Sequence, residues 1–415
     1  MTSGLTRRLG TTDAVTVGLS AMIGAGVFAA FAPAAAVAGA WLPLALAVAG
    51  GVAYCNAVSS ARLAARYPSS GGTYVYGRER LGDLWGFLAG WGFVAGKTAS
   101  CAAMALTFGA YVAPGHEKPL AVLAVAALTG LNLAGVQKSA VAARVIVGAV
   151  LAVLLAVVVA GLAGGTHPGG GTAPVDAWGV LQGAGLLFFA FAGYARIATL
   201  GEEVRDPERT IPRAIPVALG ITLILYALVA VAVLGTLGPA RLASSAAPLA
   251  DTVTAAGASW LTGVVRAGAA LAALGALLAL ILGVSRTTFA MARGRHLPGV
   301  LDAVSPGHGV PHRAEVAVGV AVAALVLVAD LRGAIGFSSF GVLVYYAIAN
   351  VSALTLRPDE GAPRRIVPLA GVAGCLLLAA TLPPASVVAG LAVFAVGALG
   401  WLAGRRVRAA APPEG

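Results

Sequence analysis

Between residues 14 and 61 the chain carries no Asp, Glu, Lys or Arg, a run of 48 positions. A helix needs roughly 20 apolar residues to cross the hydrocarbon of a bilayer, so this run predicts two spans. Gly39, Trp41 and Pro43 mark the turn between them. Residues 366–404 are also free of charge, and Pro383-Pro384 near their centre predicts a second hairpin. Between these ends, apolar runs predict spans near 84–112, 119–136, 140–163, 178–200, 213–237, 262–291, 314–330 and 333–356, twelve in all. The runs are long and dominated by alanine and leucine, not the short alternating segments of a β-barrel. Helices also satisfy every backbone group internally, as hydrocarbon demands.

Composition narrows the class. Of 415 residues, 59 % are hydrophobic and 10 % charged, too few to cover a soluble fold. The predicted fold is an all-α polytopic membrane protein with one transmembrane domain over 1–403 and a short tail at 404–415. The first run is too long for a signal peptide. The net charge of +11 does not mark a nucleic-acid partner, because the cations fall in short clusters between apolar runs. With the N-terminus inside, the cytoplasmic segments hold 20 Lys and Arg and the outer ones 4, which predicts that both termini are cytoplasmic. Cys55, Cys101 and Cys375 lie in separate apolar segments and all five histidines in connections, so no metal site is expected. No phosphate-binding GxxxxGK[ST] run exists, so neither ATP drive nor another cofactor is expected.

Two spans contain sequences that weaken a helix. Residues 18–28 read GLSAMIGAGVF, with Gly24, Ala25 and Gly26 at mid-depth of the first span. Residues 186–196 of the sixth span read LLFFAFAGYAR, with Phe188, Phe189 and Phe191 before Gly193. Freed backbone groups at membrane depth are tolerated only beside protein, water or a ligand. Breaks at corresponding places in two halves are the pattern of a transporter with a midplane site. The first repeat would run over about 12–163 and the second over about 178–356, with the spans of 366–403 peripheral.

Four segments, MIGAGVFAAFAP (22–33), RYPSSGGTYVYGRERLG (66–82), FFAFAGYARIATLGEEVRDPERTIPRAI (188–215) and SRTTFAMARGRHLP (285–298), resemble the amino acid–polyamine–organocation superfamily, in its bacterial amino acid permease branch. The resemblance implies a five-plus-five inverted repeat with discontinuous first and sixth helices, and alternating access. It places Ile23, Gly24, Ala25, Gly26 and Val27 at a substrate carboxylate, through backbone N–H groups at a half-helix N-terminus. It places Phe189, Ala190, Ala192 and Gly193 at the substrate ammonium and side chain, with Phe191 as an aromatic gate. Arg66, Arg196, Glu202, Glu203, Arg205 and Arg286 are read as gate or ion-pair residues: Glu203 and Arg205 with Arg66 or Arg78, Arg196 and Arg286 with Glu202 or Asp13.

The chain departs from proton-coupled relatives that carry a lysine in the fifth span, where about Val150 stands here. Ser285, Thr287 and Thr288 lie too near the cytoplasmic end for a sodium site. Lys97, about 13 residues into the third span, is the unusual group. An ionisable side chain at that depth is costly, and it is read as the coupling residue. With no nucleophile–base set or metal cluster in the spans, the expected activity is not enzymatic. It is secondary transport of a small, neutral amino acid, coupled to protons. The alternatives are exchange of an amino acid for an amine, transport of a cationic amino acid or polyamine, and sensing without transport. The expected partners are the substrate, the proton and the bilayer; oligomeric state stays open.

Overall fold

The computed structural model describes residues 9–68, 71–135, 140–165, 175–198, 204–305 and 309–410. The described residues are almost wholly helical. The helices are α1 (Thr11–Met22), α2 (Ala25–Ala29), α3 (Phe31–Ala38), α4 (Leu42–Arg66), α5 (Thr73–Leu81), α6 (Asp83–Val112), α7 (Glu117–Leu133), α8 (Ala140–Ala163) and α9 (Ala177–Phe191). They continue as α10 (Ala195–Ala198), α11 (Pro207–Ser244), α12 (Pro248–Ala255), α13 (Thr262–Arg293), α14 (His312–Val328), α15 (Leu331–Leu354), α16 (Ile366–Thr381) and α17 (Pro384–Ala410). Nine helical stretches among them are long and apolar enough to cross a membrane, and α16 is a shorter apolar helix. The protein is a polytopic helical membrane protein.

The outside of the bundle is apolar where a soluble protein would be charged. Leu123, Val145, Leu155, Ile224, Val320, Val388 and Leu399 are all more than half exposed. Such a surface is stable against lipid tails. Trp41, Trp85, Trp178 and Trp260 are exposed at helix ends, where amphipathic rings favour the headgroup level.

Small residues set the interior spacing. α6 lies between α13 and α15, and a Cβ on Gly96 of α6 would stand 3.1 Å from the Ser338 carbonyl of α15. One turn along, the Ser100 and Ser338 hydroxyls meet at 2.6 Å. Lipid tails are as apolar as leucine, so close backbone approach and such bonds hold the helices together.

Three details differ from the sequence expectation. Residues 66–82, read as a connection, contain helix α5. The span read near 213–237 begins earlier: Pro207 opens α11, while Pro212 and Pro216 lie inside it. Proline is pre-set for a first helical turn, and Pro212 sits early enough for the helix to continue through it. Pro43 lies in the first turn of α4, and a 3-10 turn at Gly39–Trp41 makes the bend.

Candidate functional site

α1 and α2 are parts of one crossing, separated at Ile23 and Gly24. Ile23 ends α1 with its N–H on the Leu19 carbonyl at 2.7 Å, and Gly24 turns out of helical geometry with φ −99° and ψ −140°. Beyond it, Ala25, Gly26 and Val27 open a new helical turn whose N–H groups have no helical carbonyl behind them. The second break is a 3-10 turn, Ala192–Tyr194, between α9 and α10. All residues from Met22 to Ala35 are buried, as are Phe189 to Ala192.

The two breaks are packed together through backbone. A Cβ on Gly26 would stand 2.7 Å from the Ala190 Cα, and one on Gly193 would fall 2.2 Å from the Ala21 carbonyl oxygen. Any side chain at either position has to push one broken helix away from the other. Gly24 instead faces α13, its Cβ position 2.9 Å from the Ala276 methyl.

A helix break frees carbonyls as well as N–H groups, and an unpaired buried carbonyl costs about 1–3 kcal/mol. Here four carbonyls receive side-chain donors from neighbouring helices. The Tyr226 hydroxyl of α11 reaches the Met22 carbonyl at 2.6 Å and the Ala190 carbonyl at 3.2 Å. The Tyr111 hydroxyl of α6 donates to the Phe28 carbonyl at 3.1 Å. The Ala192 carbonyl accepts from Lys97 Nζ at 3.2 Å and from the Tyr346 hydroxyl of α15 at 3.4 Å. Lys97 is buried, 7 % exposed, with this carbonyl as its hydrogen-bond partner. It therefore serves the break of the sixth span. Phe191 is fully buried, with its ring centroid 5.2 Å from that of Tyr226. Val150, at the family's lysine position, is a buried core residue.

The expected gate residues are arranged differently. Arg66 pairs with Glu360 at 3.1 Å, and Arg80 of α5 pairs with the same carboxylate oxygen at 2.5 Å. Arg80 also lies over the Tyr67 ring, 5.3 Å from its centroid. Glu360 thus clasps the end of α4, α5 and the connection between α15 and α16. Arg80's hydrogen bond, with further help from the Arg357 N–H and Arg66, pulls the Glu360 carboxyl down to about 2. Arg78 contacts its neighbour Glu79 at 3.5 Å. Asp13 pairs with Arg144 of α8 at 2.7 Å, and Arg196 and Arg286 are exposed. The Arg205 side chain is exposed, and its N–H bonds the Leu9 carbonyl at 2.9 Å. Glu202 and Glu203 lie outside the described residues.

Sequence reading missed Tyr111, Tyr226 and Tyr346; the available signal was a phenol within an apolar run, single at Tyr111 and Tyr226 and paired at Tyr345-Tyr346. It also missed Glu315, which is fully buried in the first turn of α14. The Ser285 hydroxyl of α13 donates to one of its oxygens, while the other has no partner among the described residues. Ser285 is nine residues along α13 from Ala276, about 13 Å at 1.5 Å per residue, so this acid is remote from the breaks.

The family model described as amino acid permease matches residues 9–404. An uncharacterized transporter of Mycobacterium tuberculosis is 68 % identical over 396 residues, spanning 95 % of this chain and 90 % of that protein. The branched-chain amino acid permease of Bacillus subtilis is 28 % identical over 381 residues, 86 % of this chain and 82 % of its own. The vacuolar cationic amino acid transporter 2 of Arabidopsis thaliana is 30 % identical over 388 residues, 86 % of this chain and 61 % of that one. The family match begins at Leu9, beside the bridge to Val204, and runs through α17, so the chain belongs to the amino acid permease family of the amino acid–polyamine–organocation superfamily, whose members are membrane transporters and not enzymes.

Proposed function

We propose that the protein is a secondary active transporter of a small, neutral amino acid, working by alternating access and coupled to protons through Lys97. The observation that carries this reading is the Lys97 ammonium on the Ala192 carbonyl, in the break packed against the first-span break. The N–H groups of Ala25, Gly26 and Val27 are suited to a carboxylate, and the Ala190 and Ala192 carbonyls to an ammonium. Lys97 and the substrate share the sixth-span break, so occupancy of the site and the proton on Lys97 are thermodynamically linked. The favourable contact also offsets an insertion cost of roughly 2.5–3.5 kcal/mol for the buried cation.

In this reading α1–α3 form one crossing and α9–α10 another. With α4, α6, α7, α8, α11, α13, α14, α15, α16 and α17 they make twelve, in a single domain over 1–403. The first five and the next five are inverted repeats, α16 and α17 are peripheral, and both termini are cytoplasmic. The clasp at Glu360 is the inner gate in its closed form.

A cationic substrate is the competing reading, in keeping with the name of the Arabidopsis relative. Among the described residues no carboxylate pairs with Lys97, so a second substrate cation near it would meet repulsion and no partner. The test is uptake of labelled amino acids into sealed proteoliposomes with an inward proton gradient. Accumulation of a small neutral amino acid, collapsed by a protonophore, is the expected result. Binding without uptake would identify a sensor, and competition by lysine, arginine or a polyamine would favour the cationic reading.

A further inference from the structure

Where α15 gives way to α16, a cavity of about 330 Å³ opens. Leu354, Leu356, Pro358 and Pro363 give it apolar walls, and Arg364 and Arg365 also line it. Both arginines are exposed, and neither belongs to an ion pair among the described residues. The acids nearby do not neutralise them. Glu360 is occupied by Arg66 and Arg80, which leaves Asp359 facing a surplus that includes Arg357 and Arg62, the latter lying against Gly361.

Two neighbouring guanidinium groups can each offer paired N–H donors to a phosphate, a geometry that suits arginine better than lysine. A second feature indicates what carries the phosphate. From the arginines, Ile366, Leu369, Leu376 and Leu377 continue along one face of α16, exposed by 69 %, 52 %, 57 % and 49 %. An anion site at the head of an apolar, lipid-facing strip matches a molecule with a charged head and hydrocarbon tails. Basic pockets between transmembrane helices at the cytoplasmic side are suited to such headgroups.

We infer that this cavity binds the phosphate of an anionic glycerophospholipid, with the acyl chains lying along α16. The bound lipid holds the connection that carries Glu360, and so supports the clasp on Arg66 and Arg80. The inference stands apart from the proposed transport activity and is tested without it.

The purified protein in zwitterionic detergent is titrated with phosphatidylglycerol, with phosphatidylcholine and with inorganic phosphate, and its Tm is followed. Phosphatidylglycerol raises the Tm; the other two do not. Removing both cations in an Arg364→Gln/Arg365→Gln variant weakens the apparent phosphatidylglycerol affinity roughly 10- to 30-fold, on the scale expected for two surface cations. Arg364→Lys/Arg365→Lys retains part of it, and Arg405→Gln, a charge loss on α17, leaves it unchanged. An equal shift with phosphatidylcholine or with inorganic phosphate overturns the inference. So does a double glutamine variant that titrates like wild type, or an equal loss in Arg405→Gln. Gel filtration and the Tm without lipid establish that each variant is folded.

Discussion

The single hydroxyl of Tyr226 lies within reach of two carbonyls, and only one is at optimal distance: 2.6 Å to Met22 against 3.2 Å to Ala190. Tyr226→Phe therefore strips the Met22 carbonyl of its donor in a place where water does not compete. The expected loss is about 1–3 kcal/mol, read as a lower Tm in detergent. An unchanged Tm would mean that water or a neighbouring group takes over the carbonyl. At Lys97 the outcome divides by charge. Lys97→Ala is expected to stay folded and to lose the pH dependence of uptake between pH 5.5 and 7.5. Lys97→Arg keeps a permanent cation, since arginine does not deprotonate in proteins, and is expected to bind substrate without accumulating it. Wild-type pH profiles in both variants would make Lys97 a structural residue and place coupling elsewhere. Lys97 stood out in the sequence because a charge interrupts an apolar run. Tyr226 did not, because a phenol in a helix of leucine and alanine carries no periodicity that distinguishes a ring packed in lipid from one capping a broken helix.

At the scale of elements, the helices were legible because a run without charge leaves the backbone one solution in hydrocarbon. The span of 84–112 is met by α6 at Asp83–Val112, and 262–291 by α13 at Thr262–Arg293. Helix α5 was not legible: TYVYGRERL has little apolar periodicity, and its stability comes from packing against α6 through Gly77 and Gly86, where a Cβ on Gly77 would meet Gly86 N at 3.1 Å. The breaks were visible as glycines, but their partners were not, since contact between residues 26 and 190 depends on how whole helices are laid together. A side chain at Gly26 would enter the expected carboxylate position, but the geometry makes the first obstacle the Ala190 backbone. Gly26→Ala should already impair substrate binding, and adding Ala190→Gly should restore only part of it, because the Cα remains in the way. Full activity of Gly26→Ala would show that α2 and α9 are not held together during transport.

For the molecule as a whole, the positions that join its parts carry charge, and these respond to pH. The Glu360 carboxyl is held at about 2 against an ordinary value of 4.5. A depressed carboxyl contributes stability above its unfolded pKa and loses it as pH falls through the folded one. The Tm difference between wild type and Glu360→Gln should thus be constant above about pH 5 and narrow only toward about pH 2. A difference that vanishes by pH 6 would show that Arg66 and Arg80 do not hold this carboxylate in solution. Topology is a second global test: a cysteine replacing Gly170 in a cysteine-free background should react with impermeant reagents from outside. Labelling from the cytoplasmic side alone would invert that connection.

The capping of Met22, Phe28 and Ala192 by side chains of the protein also bears on leakage. A symporter of the kind proposed returns empty in each cycle, and a broken helix with bare carbonyls would draw water and ions into the middle of the membrane. Here the donors of Tyr226, Tyr111, Lys97 and Tyr346 occupy the places a hydrated ion would use. In the transport cycle proposed above, these bonds insulate the empty protein, and a molecule with its own ammonium is the kind of solute that can join the sixth-span break without leaving a wet path behind it. Removing these donors should show itself as an ion conductance in the absence of substrate, before any change in what is transported.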